Sequence, residues 1–167
     1  SVLMEAPELL RLARTQMPEL HAQWLATLLA LPAYDAQRGF IEALDAVYAG
    51  DAAAMDRFPP LLESQQLSQV QLASIARIAE QQNRLDLAIA SYTAMLNGGI
   101  SRAATEAAQP QLVRLYLKSG QIEQALRSFY TMLPELSVPR REAEGHLLKL
   151  LAVDALPTVR AAAVQIL

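Results

Sequence analysis

The sequence predicts an all-α protein made of stacked helix pairs, and two observations carry that prediction. Hydrophobic residues make up 53% of the 167 residues, while aromatic residues make up only 5%. Ala, Leu and Gln dominate and suit helices, whereas the strand-favouring Val, Ile and Thr are sparse. A helix–turn–helix pattern also recurs at a spacing near 34 residues. One amphipathic helix pair cannot bury its apolar face alone, so such repeats stack on their neighbours into a solenoid.

The first two helices are predicted over residues 5–31. Pro7 suits a first helical turn, and Pro18 breaks the segment in two. Trp24, the only Trp in the chain, lies among the apolar residues of the second helix. We interpret its ring either as packing over the first repeat or as a stacking surface for a ligand.

The next helix is predicted to begin at Asp35, a suitable N-cap, and to run to about Tyr48. Gly50 ends this helix, and Asp51 caps the one that follows. The Pro pair at 59–60 interrupts that following helix. It is therefore expected either to be short or to break and resume at residue 61.

The clearest repeats follow. Ser68 is expected to cap a helix over 69–82, with a turn at Asn83 and a partner helix over 85–96. Ser101 is expected to cap a helical segment from Arg102, and Pro110 either begins the next helix or kinks it. That helix ends near Gly120, and its partner covers 121–133. The second helix of every copy carries an Ala followed four residues later by an aromatic ring: Ala54 and Phe58, Ala88 and Tyr92, Ala125 and Phe129.

These residues resemble the tetratricopeptide repeat (TPR) family. The matching positions in one copy are Leu72, Ile75, Ala76, Ala88 and Tyr92, and those in the next are Leu112, Tyr116, Gly120, Ala125 and Phe129. The resemblance implies a right-handed α-solenoid of stacked antiparallel helix pairs that is degenerate at both ends. We expect one repeat domain with five segments: an N-terminal helix pair 1–34, a degenerate repeat 35–68, repeats 69–102 and 103–139, and a terminal helix pair 140–167.

Two of these segments depart from the repeat pattern. In 35–68, Glu42 and Asp45 stand near places where the other copies have small or apolar residues. In 140–167 no Ala is followed by a ring, and a Pro, then Val-Arg, then small residues make this pair equally similar to a HEAT repeat. Both interpretations of the terminal pair stay open.

Composition and spacing argue against several classes of function. The net charge is −3, so no nucleic-acid partner is expected, and there is no Cys. No apolar run reaches the roughly 20 residues that a membrane-spanning helix needs. His21 and His146 have no ligand partner three or four residues away, and Gly98–Gly99 reads as a helix stop. We therefore expect no catalytic set, no metal and no cofactor.

A binding surface is the remaining functional feature. In a TPR array the first helix of each pair lines a concave groove, and the resemblance places six residues there: Ser74, Arg77, Gln81, Gln111, Arg114 and Lys118. Arg77 and Arg114 occupy equivalent places, so stacked repeats would present two guanidinium groups side by side to an acidic peptide or a terminal carboxylate. Alternatively, both arginines are solvated or paired with Glu80 and Glu106.

Two functions are therefore predicted. The first is a non-enzymatic module that binds a partner protein or acidic peptide. The second is a scaffold or spacer segment in a larger bacterial cell-envelope or secretion assembly, such as one for polysaccharide export. The start without Met and the apolar end without a capping residue favour a piece of a longer protein. The sequence does not choose between the bacterial cytoplasm and the periplasm.

Overall fold

The computed structural model describes residues 2–31, 35–98, 102–132, 141–142 and 145. All of the regular secondary structure in these ranges is helical, and they contain no strand. The all-α prediction is therefore confirmed. The predicted terminal pair 140–167 and its His146 lie almost wholly outside the described residues.

Nine helical elements are described. They are α1 (Val2–Gln16), α2 (Pro18–Ala30), α3 (Asp35–Tyr48), a 3-10 helix (Ala52–Arg57), α4 (Phe58–Glu63), α5 (Gln69–Gln81), α6 (Leu85–Asn97), α7 (Arg102–Lys118) and α8 (Ile122–Met132). The predicted boundaries from α3 onwards agree to within a few residues, apart from α4, and α7 begins at Arg102, where a helical segment was predicted to start. Pro110 neither starts nor ends α7, which continues through it. In α1, Pro7 lies five residues after the start rather than in the first turn.

The chain forms two compact units, residues 1–91 and 92–167, and the boundary falls inside α6. In the first unit α1 packs against α2, α3 and α5, while α3 packs against the 3-10 helix and α4. A regular repeat array has contacts between neighbouring units only. The contact of α1 with α5 therefore departs from that order. In the second unit α7 packs against α8.

The first helix of each predicted repeat ends in the same turn. The second residue after each of these helices has a positive φ: 90° at Gly50, 56° at Asn83 and 77° at Gly120. The N–H of that residue bonds to the carbonyl three residues back, and the next N–H bonds to the carbonyl five residues back, at 2.8–3.1 Å. This pattern is the Schellman motif, which satisfies the last carbonyls of a helix and reverses the chain. A shared turn is a structural basis for the repeat seen in the sequence.

The small residue of the predicted repeat is buried in all three copies. Ala54, Ala88 and Ala125 have no exposed surface, and each donates one of the first backbone hydrogen bonds after its turn. The rings at Phe58 and Phe129 are buried as well, and Tyr92 is half-buried. A methyl side chain at this point lets the neighbouring backbone approach closely, and the ring one turn later fills the remaining space.

The copy over 35–68 is shortened by its Pro pair. Its second helix consists of the 3-10 helix and the six-residue α4, with Pro59 and Pro60 in the first turn of α4. Prolines are tolerated there because first-turn N–H groups have no partner within the helix. The helix therefore resumes at Phe58 rather than at residue 61. Phe58 packs on Phe40 of α3, with ring centroids 6.3 Å apart.

Candidate functional site

Helix α5 carries three of the six residues predicted for the groove. A capping box fixes its start: the Ser68 hydroxyl accepts from the Gln71 N–H at 3.3 Å, and the Gln71 side chain accepts from the Ser68 N–H at 2.9 Å. Both donors would otherwise lack a partner at the helix start. Gln71 is only 2% exposed, so this contact also ties the first turn to the core.

Burial leaves α5 open along one narrow face. Seven of its residues are buried: Gln71, Leu72, Ser74, Ile75, Ala76, Ile78 and Ala79. We define the α5 strip as the exposed and half-buried residues on the opposite side: Val70, Ala73, Arg77, Glu80 and Gln81. These residues follow helical spacing along one side of the helix.

Ser74 does not belong to this strip. It is 8% exposed, and its hydroxyl donates to the carbonyl of Val70 at 2.8 Å. A hydroxyl that is bonded within its own helix and buried offers nothing to a partner. The resemblance placed Ser74 among the residues that face the groove, whereas the packing of α5 buries its side chain.

Arg77 and Gln81 are exposed, as a binding role would require. Arg77 is the cation of the α5 strip, and its guanidinium has no hydrogen-bond or ion-pair partner in the described part of the chain. The alternative pairing of Arg77 with Glu80 is therefore not formed. Glu80 is half-buried and interacts with a group other than Arg77.

The predicted residues of α7 interact with each other. The Arg114 Nε donates to Gln111 Oε1 at 3.0 Å, and both side chains are half-buried. Arg114 has a further interaction as well. Lys118 is exposed in the last turn of α7, where a positive charge complements the helix dipole. The predicted pairing of Arg114 with Glu106 cannot be assessed, since the Glu106 side chain lies outside the described residues. The adjacency of Arg77 and Arg114 stays a prediction, because these residues belong to different units.

A buried charged cluster joins α1, α2 and α3, and sequence reasoning did not predict it. Asp45, 8% exposed, accepts from Arg14 through both oxygens, at 3.3 Å from Nε and 2.7 Å from Nη2. The His21 Nε2 lies 2.6 Å from Asp45 Oδ1. A carboxylate held by a bidentate guanidinium and an imidazole is well satisfied despite its burial. The one feature of the sequence that could have indicated this cluster is Asp45, because the other copies have small or apolar residues near its place.

The His21–Asp45 pair has part of the geometry of a hydrolytic triad. Such a triad also needs a nucleophile hydrogen-bonded to the imidazole. Among the described residues no hydroxyl bonds to His21. The contacts of Asp45 with Arg14 and His21 connect three helices through polar side chains.

An exposed ionic network connects the 3-10 helix to the turn between α5 and α6. Arg84 Nη1 lies 3.1 Å from Asp56, and its Nε lies 3.4 Å from Asp86. The hydrogen bonds that Arg84 donates to Asp56 and then to Asp86 raise the pKa of the Arg84 guanidinium. Burial raises the pKa of the Asp86 carboxyl, but the Leu87 N–H and Arg84 outweigh it and hold that pKa below its ordinary value.

A shallow cavity of about 190 Å³ lies on α7 and α8 in the second unit. It is lined by Tyr116, Glu123, Gln124, Arg127 and Ser128. Arg127 donates to Glu123 at 2.8 Å, and both side chains are more than three-quarters exposed. The two charged side chains of the lining are paired with each other, so its chemistry does not favour a charged ligand.

No protein-family model, curated protein or solved structure matches this chain. No helix in the described ranges is both long enough and apolar enough to cross a membrane. Across the same residues, no three His, Cys, Asp or Glu side chains come together as a metal site would require.

Proposed function

We propose that this chain is a TPR-like repeat module that binds a partner protein or acidic peptide on the exposed face of its first helices. The repeat part of the proposal is supported by the three Schellman turns and by the buried Ala that follows each turn. A right-handed solenoid of antiparallel pairs is the arrangement that such units would adopt.

The observation that carries the binding proposal is the exposure of the Arg77 side chain. Its guanidinium is exposed on a rigid, well-capped helix and has no partner in the described part of the chain. A guanidinium binds a carboxylate bidentately and stays charged at every relevant pH. Because the side chain forms no ion pair with any described residue, an acidic partner need not compete with one of those residues for it.

A scaffold role is the second candidate, and the structure of the other predicted groove residues favours it. Ser74 is buried, and Gln111 and Arg114 are bonded to each other. Residues committed to their own helix contribute to packing rather than recognition. In this alternative the chain is a spacer within a larger bacterial envelope or secretion assembly.

The test is capture of a partner on the immobilised chain from a lysate of the source organism. Wild type and Arg77→Glu would be compared, with Arg57→Glu as the matched control. Arg57 lies on the 3-10 helix, is 57% exposed, and is loosely paired with Asp51 at 3.9 Å. Reversing the charge of Arg57 therefore makes the same change of charge at a residue outside α5. Circular dichroism would check that all three proteins are equally helical.

The binding proposal predicts one retained protein that Arg77→Glu loses and Arg57→Glu keeps. The captured protein would then be purified, and its Kd for the three variants measured by calorimetry. Retention by all three variants would place binding elsewhere on the chain. Retention by none would favour the scaffold role.

A further inference from the structure

The C-terminal end of α6 carries an Asn that is followed directly by a Gly. Asn97 is the last residue of α6, Gly98 lies in the turn after it, and both are exposed. Asn is among the chemically labile residues of proteins, because the backbone nitrogen of the next residue can attack its side-chain amide. A Gly at that next position has no Cβ to hinder the attack and takes up many backbone conformations. The Asn97–Gly98 pair therefore has the composition that favours this reaction.

The position of Asn97 at the end of α6 makes the pair accessible to this chemistry. Inside a helix, a ψ of about −42° and the backbone hydrogen bonds hold the next nitrogen in a geometry that does not reach the amide carbon. Helix ends fray, so the last residue can leave the helical conformation at little cost in free energy. Because Asn97 is the last residue of α6, the reactive conformation requires only that one helix end opens.

The other Asn of the chain, Asn83, provides an internal comparison. Asn83 is also exposed, but its φ of 56° belongs to the Schellman turn after α5. The nitrogen that would attack its amide is that of Arg84, whose N–H donates to the Ala79 carbonyl at 2.8 Å. The Arg84 side chain is in turn held by Asp56. This nitrogen is both hydrogen-bonded and hindered, so the same reaction is expected to be slower at Asn83.

We infer that Asn97 is a site of spontaneous deamidation and backbone isomerisation. The Gly98 nitrogen forms a bond to the side-chain amide carbon of Asn97 and gives up its proton, and the amide nitrogen leaves as ammonia. Water then opens the resulting cyclic succinimide at either of its carbonyl carbons. One opening gives an Asp, and the other gives an isoaspartate, in which the main chain runs through the former side-chain carbon. Solvent water is the co-reactant, and no group is oxidised or reduced.

Either product adds a negative charge at the C-terminal end of α6. The partial charge of a helix is negative at this end, and the last turn of α6 contains no basic residue to compensate it. Isoaspartate also inserts an extra carbon atom into the main chain between α6 and α7. The modification therefore weakens the end of α6, and it does not depend on the proposed binding at Arg77.

The test is peptide mapping of the full chain during incubation at mildly alkaline pH, with circular dichroism as the check that the chain stays folded. Tryptic cleavage after Arg84 separates Asn83 from Asn97, so both residues are followed in one sample. Mass spectrometry would measure the replacement of the amide NH2 by OH in each peptide. Fragmentation by electron transfer would distinguish isoaspartate from Asp.

Two variants separate the effect of the dipeptide from that of the structure. Gly98→Ala adds a Cβ beside the attacking nitrogen. Arg84→Gly places a second Asn–Gly pair at Asn83, while the backbone hydrogen bond to Ala79 can still form. A third variant, Asn97→Asp, has the charge of one product and is compared with the neutral Asn97→Gln.

We expect the wild type to lose ammonia at Asn97, with isoaspartate among the products, while Asn83 stays intact over the same period. Gly98→Ala should remove most of the loss at Asn97. In Arg84→Gly, Asn83 should still react more slowly than Asn97, because the Schellman turn holds its neighbouring nitrogen. Asn97→Asp should unfold about 1–4 °C below Asn97→Gln, since its charge opposes the helix dipole.

An Asn97 that stays intact in the folded wild type would overturn the inference. Equal rates at Asn83 and Asn97 in Arg84→Gly would refute its structural part, because the Asn–Gly sequence alone would then decide the rate. Capture of a partner at Arg77 is a separate measurement, so the failure of this inference leaves the proposed function standing.

Discussion

The strongest stability prediction concerns the buried carboxylate that joins α1, α2 and α3. Asp45→Asn keeps the size of the side chain but removes the charge that faces Arg14 and His21. Removing one partner of a buried ion pair costs about 3–5 kcal/mol, because the other charge is left without compensation. The Arg14 side chain is 31% exposed and can be partly rehydrated. We therefore expect a loss of about 2–3 kcal/mol in the free energy of unfolding.

The assay is urea unfolding followed by fluorescence. Trp24 is the only Trp, and it is half-buried on α2, so its emission reports on the first unit. With a denaturant slope of about 1–3 kcal/mol per molar, the expected loss moves the midpoint by about 0.7–3 M. Glu42→Gln is the matched control: it makes the same chemical change at an exposed position of the same helix. Its expected effect is below about 0.5 kcal/mol.

A triple replacement separates the cost of a broken cluster from the value of an intact one. Arg14→Met, His21→Leu and Asp45→Leu together replace the charges with apolar side chains. Such replacements of buried ionic groups are often neutral or stabilising by about 1–4 kcal/mol. If Asp45→Asn behaves like Glu42→Gln, or if the triple variant is less stable than Asp45→Asn, the cluster does not act as described.

Two further predictions concern the turns. Gly120→Ala should cost about 1 kcal/mol, because its φ of 77° disfavours any side chain although nothing lies near the added Cβ. Thermal unfolding by circular dichroism would measure this, and an unchanged midpoint would contradict the strain argument. The folded-state pKa of Asp86 lies below its ordinary value, so its stabilising contribution is present above the unfolded pKa and is lost as pH falls through the folded one. Arg84→Gln should raise the Asp86 pKa toward its ordinary value in an NMR titration, and a pKa that stays in place would exclude Arg84 as a cause.

Local signals in the sequence predicted most of the helix boundaries. Ser68 and Asp51 cap helices as expected, and Gly50, Asn83 and Gly120 take the left-handed conformation that ends them. These features depend on a few consecutive residues, so they can be recognised without knowledge of packing. The start of α4 at Phe58 was not predicted, but it follows a local rule, the tolerance of a first helical turn for proline.

Contacts between distant helices could not be predicted in this way. Asp45 is 31 residues from Arg14 and 24 from His21, and nothing in the chain specifies how α1 and α2 would lie against α3. The case of Ser74 has a related cause. A residue at the edge of a helical face is exposed or buried according to its neighbours, and helical spacing alone does not decide which.

The cluster and the α5 strip are physically connected through α1. The same helix that holds Arg14 against Asp45 also packs on α5. Loosening α1 by breaking the cluster therefore exposes part of the surface that holds α5 in place. Asp45→Asn should then weaken the proposed binding at Arg77 without contacting the ligand, and it should do so in proportion to the loss measured at Trp24. The triple apolar variant should keep both stability and binding, because α1 remains docked. A variant that stays fully folded but loses binding would instead place the cluster itself in the recognition surface.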